Sequence, residues 1–125
     1  MKIISTQKAP QAIGPYSQAV NVGDLIFTSG QIPLNVDGSE DKITADIKTQ
    51  SEQVLSNLQA LLQGAGSDLN KVIKTTVFLA DMGDFAQLNE VYAAFFKDHK
   101  PARSCIAVKT LPKNVKVEIE AIATI

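Results

Sequence analysis

The stretch VKVEIEAIATI, residues 115 to 125, decides the fold. Val115, Val117, Ile119, Ala121 and Ala123 alternate with Lys116, Glu118, Glu120, Ile122 and Thr124. Successive side chains of a strand project to opposite faces, so this period of two predicts a strand with one face on an apolar core. LIFTSGQI (25 to 32), VIKTTVFLA (72 to 80) and RSCIAV (103 to 108) are also rich in β-branched residues and too short for helices, and they read as strands. YSQAVNV (16 to 22) adds another, turning through Gly23-Asp24 into the strand that follows.

Two segments carry the other period. From Ala45 to Gln63, Ile47, Val54, Leu55, Leu58, Leu61 and Leu62 recur at three-to-four spacing, with Asp46 at the positive dipole end and Gly64 and Gly66 as the stop. A second helix begins at Asp84, an N-cap with Gln87 three residues on, and carries Phe85, Leu88, Val91, Tyr92, Phe95 and Phe96 on one side until Pro101 forbids continuation. The order β-β-α-β-α-β-β predicts an α+β domain, one sheet with both helices on a single face. Yet both sheet faces read as partly apolar: Ile73, Val77 and Leu79 against Val72 and Phe78, and Leu25 and Phe27 against Ile26 and Ile32. Two helices cover one face only, so the other is expected to be buried by a further copy of the chain.

At 125 residues the chain is expected to form a single domain, 1 to 125. Twelve basic and thirteen acidic side chains leave a net charge of -1, and the lysines are scattered, so nothing attracts a nucleic-acid backbone or an anionic membrane. No run of about 18 apolar residues is present, and MKIISTQKAPQAIG lacks the apolar core of a signal peptide; a cytoplasmic protein is expected. One histidine and one cysteine argue against a dedicated metal site, and no phosphate loop or dinucleotide fingerprint occurs.

PARSC, residues 101 to 105, places the only arginine two residues before the only cysteine. On a strand Arg103 and Cys105 project to one side, as do Glu118 and Glu120, and these charges are expected to share the face awaiting a partner. Arg103 then has two readings. It is either a structural partner of a glutamate or, because guanidinium is a planar fork, an anchor for a substrate carboxylate. His99 falls near the end of the second helix, where it is expected to cap the dipole. Cys105 reads as a small buried hydrophobe sooner than a nucleophile, and Tyr16, after a Gly-Pro turn, as core or pocket wall.

APQAIGPYSQAV (9 to 20), FTSGQIP (27 to 33), KTTVFLADMGDFAQLNEVYAAFF (74 to 96), PARSC and LPKNVKVEIEAIA (111 to 123) together resemble the RidA/YjgF family of enamine/imine deaminases over nearly the whole chain. The resemblance implies a chorismate-mutase-like fold and a homotrimer with active sites at subunit interfaces. The implied activity is hydrolysis of 2-aminoacrylate-type enamines and their imine tautomers to 2-oxo acids and ammonia, without metal or organic cofactor. It also assigns roles: Arg103 binds the substrate carboxylate, Cys105 offers its backbone N–H, and Glu118, not Glu120, holds the water. Tyr16 comes from the adjacent subunit, with Ser29, Gly30 and Asn89 close by. The connection from Phe96 to Pro101 is short for the family and borders the pocket. Two other outputs are compatible with such a site: a regulatory trimer that binds 2-oxo acids without turnover, and the ribonuclease activity attached to some relatives. The charge balance argues against the latter.

Overall fold

The alternating C-terminal stretch becomes a central strand of a six-stranded sheet in the computed structural model, which describes residues 1–125. In chain order the strands are β1 (Lys2–Ile4), β2 (Ala19–Val22), β3 (Leu25–Thr28), β4 (Val72–Leu79), β5 (Ala102–Ala107) and β6 (Val117–Thr124). The helices are α1 (Ile47–Gly64), between β3 and β4, and α2 (Phe85–Phe96), between β4 and β5. Across the sheet the order is β1-β2-β3-β6-β4-β5, with every neighbouring pair antiparallel except β4 and β5. The mixed α+β architecture thus holds. β1 was not predicted, because three residues at a sheet edge are too few to display a period.

The helix boundaries follow their end signals. Asp46 accepts a hydrogen bond from the Thr49 N–H at 2.8 Å, a side-chain cap that satisfies one of the orphan donors of α1. At the other end Gly66 sits at φ +84°, and the Ser67 and Gly66 N–H groups donate back to the Leu62 and Gln63 carbonyls, closing the helix with a Schellman motif. Asp84 precedes α2 as expected but makes no side-chain cap. The capping carboxylate is Asp81, which accepts from the Gly83 N–H at 2.8 Å and starts a short 3-10 turn ahead of the helix.

Both helices lie against one sheet face. Val54, Leu55, Leu58, Leu61 and Leu62 of α1 and Leu88, Val91 and Phe96 of α2 bury against Ile26, Val77, Leu79, Val117, Ile119 and Ala121. Alternation fails at the start of β4. Val72 pairs with Ala123 and Lys74 with Ile122, so Ile73 is the extra residue of a β-bulge. Val72 is thereby turned to the core and Ile73 left 46% exposed, the reverse of what strict alternation predicts for this end of the strand. From Thr75 onward the predicted sides are kept. On the uncovered face Leu25, Phe27 and Ile106 remain exposed, as the surplus of apolar strand positions requires.

One polar side chain ties the layers together. Gln50 of α1 is fully buried and donates to the Ile43 and Ala45 carbonyls, while its amide oxygen accepts from the Lys116 N–H at 2.8 Å. Replacing it by an apolar residue strands a backbone donor and two acceptors. Gln50→Leu is expected to lower the unfolding free energy by about 2–3 kcal/mol, measured by urea titration at fixed protein concentration. A change below about 0.5 kcal/mol would place Gln50 among residues of no structural consequence.

Candidate functional site

The residues singled out in the sequence fall into two groups on opposite faces of the sheet. Parallel and antiparallel neighbours in register share a face. Val77 pairs with both Cys105 and Ile119, and Phe78 pairs with both Ile106 and Glu118. Arg103 and Cys105 therefore lie on the helix side with Ile119, and Glu118 and Glu120 lie on the uncovered side. The expectation that these charges share one face is wrong, because β5 and β6 are both two-faced and the pairing offsets them by one residue. Nor does the Arg–Glu structural pair form within the chain: its ion pairs are Lys48 with Glu90 and Lys113 with Glu40.

The first group is built by α2 and β5. Arg103 stands beside Thr75 in the parallel register, and its guanidinium carbon lies 4.8 Å from the Tyr92 ring centroid and 5.4 Å from that of Phe85. Its Nη1 donates to the Asn89 Oδ1 at 2.8 Å. Tyr92 is itself buried, with its hydroxyl 2.7 Å from the Thr75 hydroxyl. Arg103, Asn89, Tyr92, Lys97, His99 and Lys100 line a pocket of about 480 Å³. The basic rim was not anticipated, although Lys97, Lys100 and Arg103 lie within the seven-residue stretch KDHKPAR that connects α2 to β5. His99 does not cap α2, which has ended at Phe96. Its Nε2 lies 2.6 Å from the Val72 carbonyl oxygen and ties the connecting loop to the start of β4. Cys105 is half-buried against the core, and burial pushes its thiol up in pKa, only partly offset by the charge of Arg103. The neutral thiol is a poor nucleophile.

The second group is built by a bulge. β3 pairs Phe27 with Ile122 and the chain resumes at Gln31 opposite Ile119, so four steps on one side match three on the other. The Ala121 N–H, deprived of a backbone partner there, donates to the Thr28 Oγ1 at 3.0 Å. This is why the predicted strand 25 to 32 ends at Thr28. Within the bulge Ser29 donates its hydroxyl to the Ser17 carbonyl at 2.6 Å. Gly30 passes so close to Glu118 that a Cβ there would sit 2.5 Å from the carboxylate Oε2, so only glycine lets the carboxylate lie against the backbone. Tyr16, 49% exposed, joins Ser29, Gly30, Glu118 and Glu120 around an open cleft of about 650 Å³.

Partial burial, aided by the charge of Glu120, raises the Glu118 pKa above the ordinary carboxylate value. The protonated form is thus favoured by folding, and Glu118 lowers stability once the pH rises above its folded pKa. Glu118→Gln is expected to melt above wild type at pH 7, with the difference shrinking as the pH falls through the raised folded value and gone below the ordinary glutamate value of about 4.3. Thermal denaturation at the two pH values reads it; equal stability at pH 7 would show the carboxylate to be solvated at no cost.

Which residues were missed is also plain. Phe85 and Tyr92 read as core in the sequence, although their spacing with Asn89, at i, i+4 and i+7, already placed all three on one stripe. Thr75, a hydroxyl inside an apolar strand, was the second available signal. No cluster of three or more His, Cys, Asp or Glu side chains is close enough to hold a metal ion, and no helix is long and apolar enough to cross a membrane.

Comparison with known proteins bears on the family and the fold. Residues 6–125 match the family model described as Endoribonuclease L-PSP. A RutC family protein of Sinorhizobium fredii is 54% identical over 122 residues, covering 98% of this chain and 96% of its own. The 2-iminobutanoate/2-iminopropanoate deaminase of Escherichia coli is 50% identical over 125 residues, covering 98% and 96%. The crystal structure of Escherichia coli TdcF with bound serine superimposes with a TM-score of 0.93 at 50% identity, covering 100% of this chain and 99% of that one. With such identity along the whole domain and the same fold, the chain belongs to the endoribonuclease L-PSP family, the RidA/YjgF family of enamine/imine deaminases and their relatives.

Proposed function

We propose that the protein hydrolyses 2-aminoacrylate-type enamines and 2-imino acids to 2-oxo acids and ammonia, at a site completed by a neighbouring copy. The observation that carries this reading is an arginine with no acidic partner in its own chain, held by neutral groups at the wall of a pocket. Such a guanidinium is free to take a carboxylate through two parallel hydrogen bonds. The deaminase name of the Escherichia coli relative and the amino acid bound to TdcF support the same ligand class.

In this reaction the enamine gains a proton at its terminal carbon and becomes an iminium. Water then adds to the iminium carbon, and ammonia leaves the resulting carbinolamine to give the 2-oxo acid. Arg103 fixes the substrate, helped by the Cys105 backbone N–H. Glu118, whose raised pKa suits it to accept a proton, orients and polarises the water. Tyr16, Ser29 and Gly30 complete the wall. Because hydrolysis of such imines is intrinsically fast, a barrier reduction of a few kcal/mol, about a hundredfold in rate, is enough.

Arg103 and Glu118 occupy opposite faces of one sheet, so a single copy cannot close around one small substrate. A contact between two different patches repeats head to tail and closes into a ring, and in a trimer each of three clefts would take Arg103 from one subunit and Glu118 with Tyr16 from the next. The exposed Leu25, Phe27 and Ile106 supply apolar surface for such an assembly. The reading includes a protein that works in the cytoplasm on a small metabolite.

The basic rim of Lys97, Lys100 and Arg103 favours one other reading, the ribonuclease of the family description. Purified protein that cleaves RNA in an Arg103-dependent manner yet leaves imino acids untouched would establish it.

Arg103→Ala is expected to lower kcat/KM on the order of a hundredfold, with Arg103→Lys in between because it keeps the charge and loses the fork. Hydrolysis of 2-aminoacrylate generated by a dehydratase, paired with light scattering on the same samples, checks both activity and assembly. An intact Arg103→Ala trimer with wild-type turnover refutes the anchor, and a monomeric wild type refutes the shared site.

Cys105→Ala is expected to retain most activity and chelators to leave the wild type unaffected, since water is the nucleophile and the thiol is held neutral. Complete loss in a folded Cys105→Ala trimer would point instead to covalent catalysis.

A further inference from the structure

Buried or half-buried arginines are ordinarily balanced by a carboxylate, which neutralises the charge and satisfies the fork. Arg103 is half-buried and balanced by none. What surrounds it instead comes from one stripe of α2. Phe85, Asn89 and Tyr92 stand at i, i+4 and i+7, so all three face the same neighbour on β5. The two rings lie 5.4 and 4.8 Å from the guanidinium carbon, within the range where a ring quadrupole attracts a cation. The amide oxygen of Asn89 accepts from Nη1, fixing the rotation of the plane. Tyr92 is in turn locked: its hydroxyl meets Thr75 on β4, and its ring stacks on Phe96 with centroids 4.5 Å apart.

The geometry points to this stripe as a charge-neutral cradle whose function is to hold Arg103 ready for a carboxylate without occupying it. An acidic partner in the same place would compete with the substrate for the fork. Rings and an amide stabilise the cation while leaving its charge, and the hydrogen-bonding edge that Asn89 does not use, available. Phe85 and Tyr92 are positioning residues, acting through Arg103 and not through contact with the reacting atoms. Rigidity is the gain: an arginine that already points at its ligand loses less rotamer freedom on binding. This inference rests on the carboxylate-anchor reading of Arg103 and specifies how the anchor is built.

Because Arg103 is the only arginine in the chain, a nitrogen-15 correlation spectrum contains one arginine Nε–Hε signal, and ring currents from Tyr92 and Phe85 should move it from its free-arginine position. Tyr92→Leu and Phe85→Leu each remove a ring while keeping apolar volume. Tyr92→Phe keeps the ring and loses the hydroxyl bond to Thr75. The expected result is that each leucine variant returns the signal toward the free-arginine position and weakens 2-oxobutanoate binding about fivefold to tenfold, as loss of one partly desolvated cation–ring contact implies. In turnover the loss should appear mainly in KM, and Tyr92→Phe should recover both the signal position and the KM. A folded Tyr92→Leu protein with an unmoved signal and wild-type affinity overturns the cradle. So does a Tyr92→Phe protein as impaired as Tyr92→Leu, which would assign the effect to the hydroxyl. Failure of the carboxylate-anchor reading is separately visible: Arg103→Ala would then hydrolyse and bind as wild type, while the signal positions of the ring variants still decide whether the cradle exists.

Discussion

One constraint organises the molecule: a six-stranded sheet has two faces, and two helices cover only one of them. On the covered side, α1 and α2 seal a core in which fully buried Leu55, Leu58, Leu61 and Leu62 meet Val77, Val117 and Ile119. At about 25 cal/mol per Å² of apolar surface removed from water, burial of this kind dominates the favourable side of folding. The uncovered side keeps Leu25, Phe27 and Ile106 in solvent within one chain, and Glu118 and Glu120 stand on the same side. The face that looks unfinished as a fold is thus the one that carries half of the candidate site.

Each half of the site sits where regular structure is interrupted or ends. The bulge after Thr28 lifts Ser29 and Gly30 out of register, and the freed space is occupied by the Glu118 carboxylate. β5 is the edge strand of the sheet, so Arg103 has α2 on one side and open pocket on the other. The electrostatic settings differ correspondingly. Glu118 is pushed toward its neutral form by burial and a like charge, whereas Arg103 stands between two aromatic rings and an amide oxygen. A proton-accepting group and an anion-binding group are what an imine hydrolysis needs, and the two require opposite surroundings.

Much of this was legible beforehand, for a definite reason. The alternation from Val115 to Thr124, the helical spacing from Ile47 to Leu62 and the Asp46 and Gly66 end signals are local patterns, and a local pattern survives in the text. The Arg103–Cys105 pair stood out through rarity and spacing, and Tyr16, Ser29, Gly30, Asn89 and Glu118 through family resemblance. The failures are equally specific. Strict alternation put Ile73 in the core and Val72 outside, because a bulge inserts a residue without altering composition. Asp84 was given a cap that Asp81 makes, and His99 was given a helix terminus when it binds a strand carbonyl twenty-seven residues away.

The sequence by itself determined the elements, their order, the two-layer arrangement and the surplus of apolar strand faces, all of which follow from periods of two and 3.6 residues and from the count of helices available. It also singled out the one guanidinium. Only the tertiary structure decided which side of the sheet that guanidinium takes, because facing depends on the register between β4, β5 and β6, a relation among residues far apart in the chain. For the same reason only the fold separates Arg103 from Glu118 by the thickness of a sheet, and only the packing of α2 on β5 turns Phe85, Asn89 and Tyr92 from core positions into the support of a charge.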